Sequence, residues 1–129
     1  MKIAFDTNVI VRMIALDDEV RLKKAIGLIQ KHQPKDIFIC YGVFIEAYYV
    51  LTKQYDMPKD KVLDAFEDLL RVEQFSVDQE TALRLAISKA KKGGAFNDAL
   101  IGEVGAVKNV RTDTFDKALK NNNSFEVLS

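Results

Sequence analysis

Several acidic residues occupy positions that could support chemistry. Asp6 directly follows the apolar run 2–5, and Asp98 opens a helical segment. Asp113 and Asp116 follow a later strand candidate. Ligands of parallel sheets bind outside the carboxyl ends of the strands, so these carboxylates are expected near one another. Each of them taken alone could equally be a helix cap that accepts backbone N–H groups.

Glu46 has a different kind of environment. It is the only charged residue between Tyr41 and Thr52, in a helical segment, VFIEAYYVL, that is apolar on every side. A helix that is apolar all round is normally buried, and a buried carboxylate is costly unless it is paired. We therefore expect Glu46 to be buried and its charge to be compensated. An Arg or Lys partner, protonation, or a cation shared with other carboxylates would each do this.

The simplest arrangement places Glu46 beside Asp6, Asp98 and Asp116. Four carboxylates held together repel one another, so such a cluster is unfavourable until a divalent cation joins it. The successive acids are separated by 40, 52 and 18 residues, so only the fold can bring them together. The sequence therefore predicts a site that is assembled from distant parts of the chain.

The metal must be held by oxygen. The chain has one cysteine, Cys40, and one histidine, His32, which excludes a Cys/His zinc cage. The same scarcity argues against Ser-His-Asp and Cys-His catalysis. Oxygen ligands favour Mg²⁺ or Mn²⁺, and such sites act on phosphates. The expected chemistry is metal-assisted hydrolysis of a phosphodiester.

The charge balance is compatible with a polyanionic substrate. The chain carries 19 basic and 19 acidic residues. Setting aside the four clustered acids leaves 19 against 15, so the remaining surface is mildly basic. Lys92 precedes Asp98 and Lys117 follows Asp116, where they could hold a nucleic acid beside the metal. The alternative is that these lysines only solvate helix ends.

Short apolar segments alternate with helical segments along the whole chain, which predicts an α/β fold. The 129 residues are 48% hydrophobic, enough for one domain, residues 1–129, with its own core. Alternation of this kind favours an open parallel sheet with helices on both faces. Five strands are expected, at residues 2–5, 37–40, 74–77, 109–112 and 125–128.

Two sequence features bear on localisation. No run approaches the roughly 18 apolar residues of a membrane span. The N-terminal segment meets an aspartate at position 6, too early for a signal-peptide core. We expect a cytoplasmic protein.

Four motifs in order resemble those of PIN-domain ribonucleases, in particular the small VapC-type toxins of toxin-antitoxin pairs. The motifs are AFDTNVI at 4–10, VFIEAYYVL at 43–51, FNDALI at 96–101 and TFD at 114–116. The resemblance covers essentially the whole chain and implies a PIN-like fold. It also implies an RNA substrate, an antitoxin partner and a homodimer.

The same resemblance assigns roles to individual residues. The residues that match the family's acidic quartet, which binds Mg²⁺ or Mn²⁺ and carries catalysis, are Asp6, Glu46, Asp98 and Asp116. Asn8 and Thr114 match polar residues that help to hold the site. Asp113 competes with Asp116 for the fourth position, and Asp116 is favoured because it keeps the Thr-x-Asp spacing. Residues 94–97 lack the additional acid that family members often carry before the third aspartate.

Other classes of protein fit less well. A phosphoacceptor receiver domain would carry adjacent acids after the first strand, and a haloacid-dehalogenase-type phosphatase would carry Asp-x-Asp where this chain has Asp6-Thr7-Asn8. Neither explains Glu46. A PIN-like domain that acts as a non-catalytic RNA-binding or scaffold module remains an alternative. The stripe Val62, Leu63, Phe66 and Leu70 could mediate dimerisation or belong to the core.

Overall fold

A computed structural model describes all 129 residues and divides the chain into two compact units. The first unit is Met1–Asp78 and the second is Gln79–Ser129. The elements of the first unit are β1 Ile3–Ala4, α1 Thr7–Ala15, α2 Glu19–Gln30, β2 Ile37–Ile39, α3 Tyr41–Tyr49, a π-helical segment Val50–Gln54, α4 Lys59–Leu70 and β3 Phe75–Val77. Those of the second unit are α5 Glu80–Lys92, α6 Phe96–Ala106, β4 Thr112–Thr114, a 3₁₀ turn Lys117–Leu119 and β5 Phe125–Val127.

The first unit is built on a three-stranded parallel sheet in the order β1-β2-β3. Ile37 in the central strand is paired with Ile3 on one side and Phe75 on the other. Ile37 and Ile39, which lie on the same face of the sheet, are fully buried. Phe44 and Phe66 meet edge to face in the core, with ring centroids 5.1 Å apart.

Acidic side chains fix the starts of two helices in this unit. The Asp18 carboxylate accepts the Arg21 backbone N–H at 3.0 Å and so caps α2. Asp78, which follows β3, accepts the backbone N–H of Tyr41 at 2.7 Å. Because Tyr41 is the first residue of α3, this bond ties the carboxyl end of one strand to the start of the helix that carries Glu46.

In the second unit, α5 packs against α6 through a stripe of small residues. Ala82, Ala86 and Ala90 recur every four residues on α5 and are buried. Phe96 and Leu100 of α6 are fully buried as well. Strands β4 and β5 form a two-stranded parallel sheet in which Thr112 pairs with Phe125 and Thr114 with Val127.

The α/β fold with five parallel strands is confirmed, although hydrogen bonding divides the strands between a three-stranded and a two-stranded sheet. That residues 1–129 form one domain, and that helices cover both sheet faces, stay predictions. The stripe on α4 belongs to the core, since its side chains are almost completely buried, so its use as a dimer surface is wrong. No helix has the length and apolar character needed to cross a membrane.

The predicted position of the fourth strand is wrong. The expected strand 109–112 is instead a turn followed by β4, which begins at Thr112. Asn109 takes a left-handed conformation with φ of 63° in the turn that follows α6. The Val110 N–H then bonds back to the Gly105 carbonyl at 3.2 Å. Asp113 therefore lies inside the strand rather than after it, and only Asp116 follows β4.

Candidate active site

Asp6 lies where β1 gives way to α1, as predicted. It is the N-cap of α1, and its Oδ1 accepts the Val9 backbone N–H at 3.1 Å. This bond satisfies one of the helix's unpaired donors and fixes the carboxylate at the positive end of the helix. The Asp6 side chain is exposed and makes no ion pair, so its second oxygen is available to a ligand.

Glu46 is not buried, contrary to the prediction. Phe44 and Ala47 face the core, whereas Glu46 and Tyr49, three residues apart on the opposite face of α3, are exposed. Tyr49 is 57% exposed, because a tyrosine can present its ring edge and hydroxyl to water. The apolar pattern around Glu46 therefore overstated the burial of the helix. No Arg or Lys forms an ion pair with Glu46.

Asp6 and Glu46 nevertheless line one cavity of about 520 Å³ in the first unit. Asn8, the second residue of α1, lies in the same lining. The whole lining is Asp6, Thr7, Asn8, Val11, Arg12, Glu46, Val50, Gln54 and Tyr55. The structure thus brings together the two predicted acids and the predicted supporting Asn8 of this unit.

The far wall of this cavity is shaped by the π-helical segment that continues α3. The Tyr55 N–H bonds to the Val50 carbonyl five residues earlier, at 3.2 Å. The Thr52 hydroxyl donates to the Tyr48 carbonyl at 2.7 Å, a side-chain bond that disturbs regular helical geometry. π-helical turns occur frequently at functional sites. Glu46, Val50 and Gln54, four residues apart, all reach the cavity as a result.

Arg12, Asp17 and Tyr55 form a polar cluster at the cavity that sequence analysis missed. One oxygen of Asp17, Oδ2, accepts from Arg12 Nη1 at 2.9 Å and from the Tyr55 hydroxyl at 2.8 Å. Arg12 Nη1 also donates to the Tyr55 hydroxyl oxygen at 3.0 Å. The sequence did contain a sign of this cluster: Arg12 is the only charged residue of α1, whose sequence is TNVIVRMIA, and such a charge needs a partner.

The cluster shifts the ionisation of its members. The hydrogen bond from Tyr55, helped by Arg12, holds the pKa of Asp17 below its usual value. The same bond to Asp17, together with burial, raises the pKa of Tyr55. Asp17 and Tyr55 raise the pKa of Arg12, so that its guanidinium stays charged. Around neutral pH, Arg12 and Tyr55 therefore keep their protons and Asp17 stays ionised.

In the second unit, Asp98 is half-buried in the first turn of α6. It lines a cavity of about 320 Å³ together with Lys92, Gly93 and Gly94. Both glycines have positive φ, 132° and 89°, conformations that other residues rarely adopt. Lys92, one of the two predicted nucleic-acid contacts, thus lies at the same cavity as Asp98.

Asp116 is exposed and caps the short 3₁₀ turn. Its Oδ1 accepts the Ala118 N–H at 2.9 Å, and its own N–H donates to Thr114 Oγ1 at 3.0 Å. Thr114 thus contacts the backbone of Asp116, and its role in holding the site stays a prediction. Asp116 does not line the cavity that Asp98 lines. Lys117, the other predicted contact, is exposed beside it.

Lys89 forms an ion pair with a buried acid and is therefore not free to bind a ligand. Its Nζ lies 2.5 Å from Oε1 of Glu103, a residue that is only 5% exposed. Ser124 also donates to Glu103, at 3.4 Å. Glu103 was not recognised in the sequence because its helix gives no periodic signal of burial. This ion pair is a structural feature of the second unit.

Within neither unit do three or more His, Cys, Asp or Glu side chains form a metal-holding group. Asp6 and Glu46 belong to the first unit and Asp98 and Asp116 to the second, so the four-acid cluster stays a prediction. The donor chemistry of the first cavity fits a divalent ion. It offers carboxylate oxygens without basic partners, and Mg²⁺ is commonly held by one or two carboxylates plus waters.

Comparison with known proteins identifies the family. The sequence profile of the PIN domain matches residues 3–123. A similar solved structure is the crystal structure of VapBC2 from Rickettsia felis bound to a DNA fragment from their promoter, with 18% identity over 99% of this chain and 98% of that chain and a TM-score of 0.42. No curated protein matches the sequence. Since the profile covers almost the entire chain, the protein belongs to the PIN domain family.

Proposed function

We propose that this protein is a metal-dependent endoribonuclease that hydrolyses phosphodiester bonds of RNA with Mg²⁺ or Mn²⁺. PIN domains are generally nucleases and typically use divalent metal ions. The observation that carries the proposal for this chain is the pair Asp6 and Glu46, two carboxylates without basic partners that line one water-accessible cavity.

The residues that would hold the ion are the acids Asp6, Glu46, Asp98 and Asp116. When bound, a divalent ion supplies a water of lowered pKa and neutralises charge on the leaving oxygen. Asp6 presents an oxygen from the start of α1, where the helix amides restrain the other. Asn8 offers a carboxamide at the same cavity, and Thr114 orients the backbone beside Asp116.

The substrate would be held by basic and amide groups. Lys92 lines the Asp98 cavity with Asn121, Asn122 and Asn123, which can contact a sugar or phosphate through their carboxamides. Lys117 adds an exposed cation next to Asp116. Single-stranded RNA suits such a surface, since its backbone is accessible and its bases can be splayed out.

We further propose that the enzyme is the toxin of a type II toxin-antitoxin pair and acts in the cytoplasm. The surface of α2 supports a protein partner. Val20, Ile26 and Leu28 are exposed there. A hollow of about 190 Å³ beside them is lined by apolar residues such as Ala25 and Leu28 and by the basic residues Arg21 and Lys24. An antitoxin segment that combines apolar and acidic side chains would fit this surface.

A homodimer remains part of the proposal. Because the α4 stripe is in the core, self-association must use another surface. Leu85 on α5 and Ile101 on α6 are about half exposed and are available for it. Sedimentation of the purified chain, with and without a Leu85→Lys change, would measure the oligomeric state directly.

The test of the nuclease is RNA cleavage by the purified protein with Mg²⁺, with Mn²⁺ and with excess chelator. We expect cleavage only with metal, and none by Asp6→Asn, which keeps a side chain able to cap α1. Asp60→Asn, an exposed acid in the first turn of α4, is the matched control and should cleave normally. Full activity in chelator, or in Asp6→Asn, would refute the proposal. RNA binding without cleavage would favour the non-catalytic module.

A further inference from the structure

The cavity that contains Asp6 and Glu46 has two chemically different ends. Asp6 caps α1 and Arg12 comes six residues later, a separation of about 9 Å along the helix at ~1.5 Å per residue. The Arg12 guanidinium is bonded to Asp17, which lies beyond the last residue of α1. It is therefore held toward the C-terminal end of the helix, away from Asp6. One end of the cavity is anionic and the other carries a fixed cation.

The guanidinium retains capacity to bind a ligand. Both of its contacts within the protein, to Asp17 and to Tyr55, are made by Nη1. Its Nε is buried and has no hydrogen-bond partner. The Nε has almost no accessible surface and is out of reach of a ligand, whereas Nη2 makes no contact within the protein and can donate to a phosphate oxygen. The Arg12 side chain is 26% exposed, and it contributes to the cavity lining.

Asp17 and Tyr55 restrict where the guanidinium can lie. Asp17 Oδ2 receives both donors, so the carboxylate, the phenol and Nη1 form a closed triangle of bonds of 2.8–3.0 Å. Such a cluster reduces the conformational freedom that a long arginine side chain would lose on binding. Gln54, at the end of the π-helical segment, places a carboxamide at the same cavity.

We infer that Arg12, positioned by Asp17 and Tyr55, binds a phosphate of the RNA strand that neighbours the phosphate at the Asp6–Glu46 end. This inference rests on the proposed function. The carboxylates of Asp6 and Glu46 repel a phosphate unless a cation is present, whereas Arg12, although paired with Asp17, still offers N–H donors to one. A strand whose successive phosphates occupy the two ends would be aligned along the groove between α1 and α3.

The test is the salt dependence of binding to a fluorescently labelled single-stranded RNA oligonucleotide in excess chelator. We expect Arg12→Gln to weaken binding about tenfold, since one charge-assisted contact is lost. The slope of log K against log salt should become shallower by about 0.7, the value for one phosphate contact on a single strand. Arg12→Lys keeps the charge and should keep the slope.

Arg71→Gln is the matched control. Arg71 Nη1 bonds Asp68 at 2.8 Å in the same unit, but Arg71 does not line the cavity. Its change should leave affinity and slope as in the unaltered chain. Thermal melting of each variant checks that the fold is intact.

A double variant, Arg12→Gln with Asp17→Asn, separates binding from local repulsion. If Arg12 contacts a phosphate, the double variant stays weak and keeps the shallow slope. A slope that returns to the unaltered value would mean that the single change acted only by uncovering the Asp17 charge, and it would overturn the inference. An unchanged slope in Arg12→Gln would overturn it as well.

The outcomes also distinguish this inference from the proposed function. If the unaltered chain cleaves RNA and Arg12→Gln leaves the slope unchanged, the phosphate contact is refuted and the nuclease proposal stands. If RNA binding depends on Arg12 but no metal-dependent cleavage occurs, the nuclease proposal is refuted and the phosphate contact stands. Failure of the unaltered chain to bind RNA overturns the phosphate contact.

Discussion

Gly102 offers a sharp test of how the helix that carries Asp98 is positioned. A Cβ at residue 102 would lie 2.6 Å from Phe125 Cε2, 2.9 Å from Ser124 Cβ and 3.2 Å from Phe125 Cζ. Carbon atoms pack favourably at about 3.5–4.0 Å, so α6 and the start of β5 would have to separate by about 1 Å. Phe125 and Ser124 are both buried, which leaves the ring little room to turn away.

The expected cost of Gly102→Ala follows from two opposing terms. Overpacking of a core costs about 1–3 kcal/mol, whereas replacing a helical glycine by alanine gains about 1 kcal/mol. The 2.6 Å approach to a buried ring places the overpacking cost in the upper part of its range. We therefore expect a net loss of about 1–2 kcal/mol in the free energy of unfolding.

The assay is urea unfolding followed by circular dichroism, with Gly27→Ala as control. Gly27 lies in α2, and a Cβ there would meet no atom within 4 Å. That change should raise the free energy of unfolding by about 1 kcal/mol through helix propensity alone. A Gly102→Ala protein as stable as Gly27→Ala would refute the close packing of α6 against the start of β5. Because α6 also carries Asp98, the displacement of α6 in Gly102→Ala should lower the proposed nuclease activity as well.

Two further predictions concern the first unit. Asp78→Ala should lower the free energy of unfolding by about 1–2 kcal/mol, because the start of α3 loses its carboxylate acceptor. Asp78→Asn keeps an oxygen acceptor and should recover most of the lost stability. Equal stability of all three proteins in urea would contradict the bond to Tyr41. Because the pKa of Asp17 is lowered in the folded protein, its contribution to stability is present above the unfolded pKa of about 3.9 and is lost as pH falls through the lower folded value. Unfolding measured from pH 2 to 6 should accordingly show a shallower acid dependence for Asp17→Asn, and an identical dependence would rule out the cluster.

Much of the fold could be predicted from local pattern. The strands at Ile37–Ile39 and Phe75–Val77 were visible as short apolar runs bounded by polar residues, and both formed. The fourth strand was misplaced because residues 109–112 have strand-like composition, whereas the left-handed turn at Asn109 is dictated by how α6 ends. The division of the strands between two sheets depends on long-range hydrogen bonds, which leave no local signal.

The candidate site could also be predicted only in part from local pattern. Asp6 and Glu46 share a cavity as expected, but the predicted burial of Glu46 is wrong, since the carboxylate is exposed. Sequence periodicity treats tyrosine as apolar, and Tyr49 faces water in α3. Arg12 carried a comparable signal, one charge in an apolar helix, but Asp17 lies outside that helix and Tyr55 is 43 residues away, so no helical spacing pairs them with Arg12.

We expect Asp6 and Glu46 together to hold the divalent ion on which RNA cleavage would depend. The most direct measurement is the initial rate of cleavage of one RNA across a range of Mn²⁺ concentrations, for the unaltered chain and for Glu46→Gln. We expect the unaltered rate to rise with Mn²⁺ and saturate, and the Glu46→Gln rate to be lower by more than about 100-fold. Equal rates for the two proteins, or cleavage that is independent of Mn²⁺, would contradict the claim.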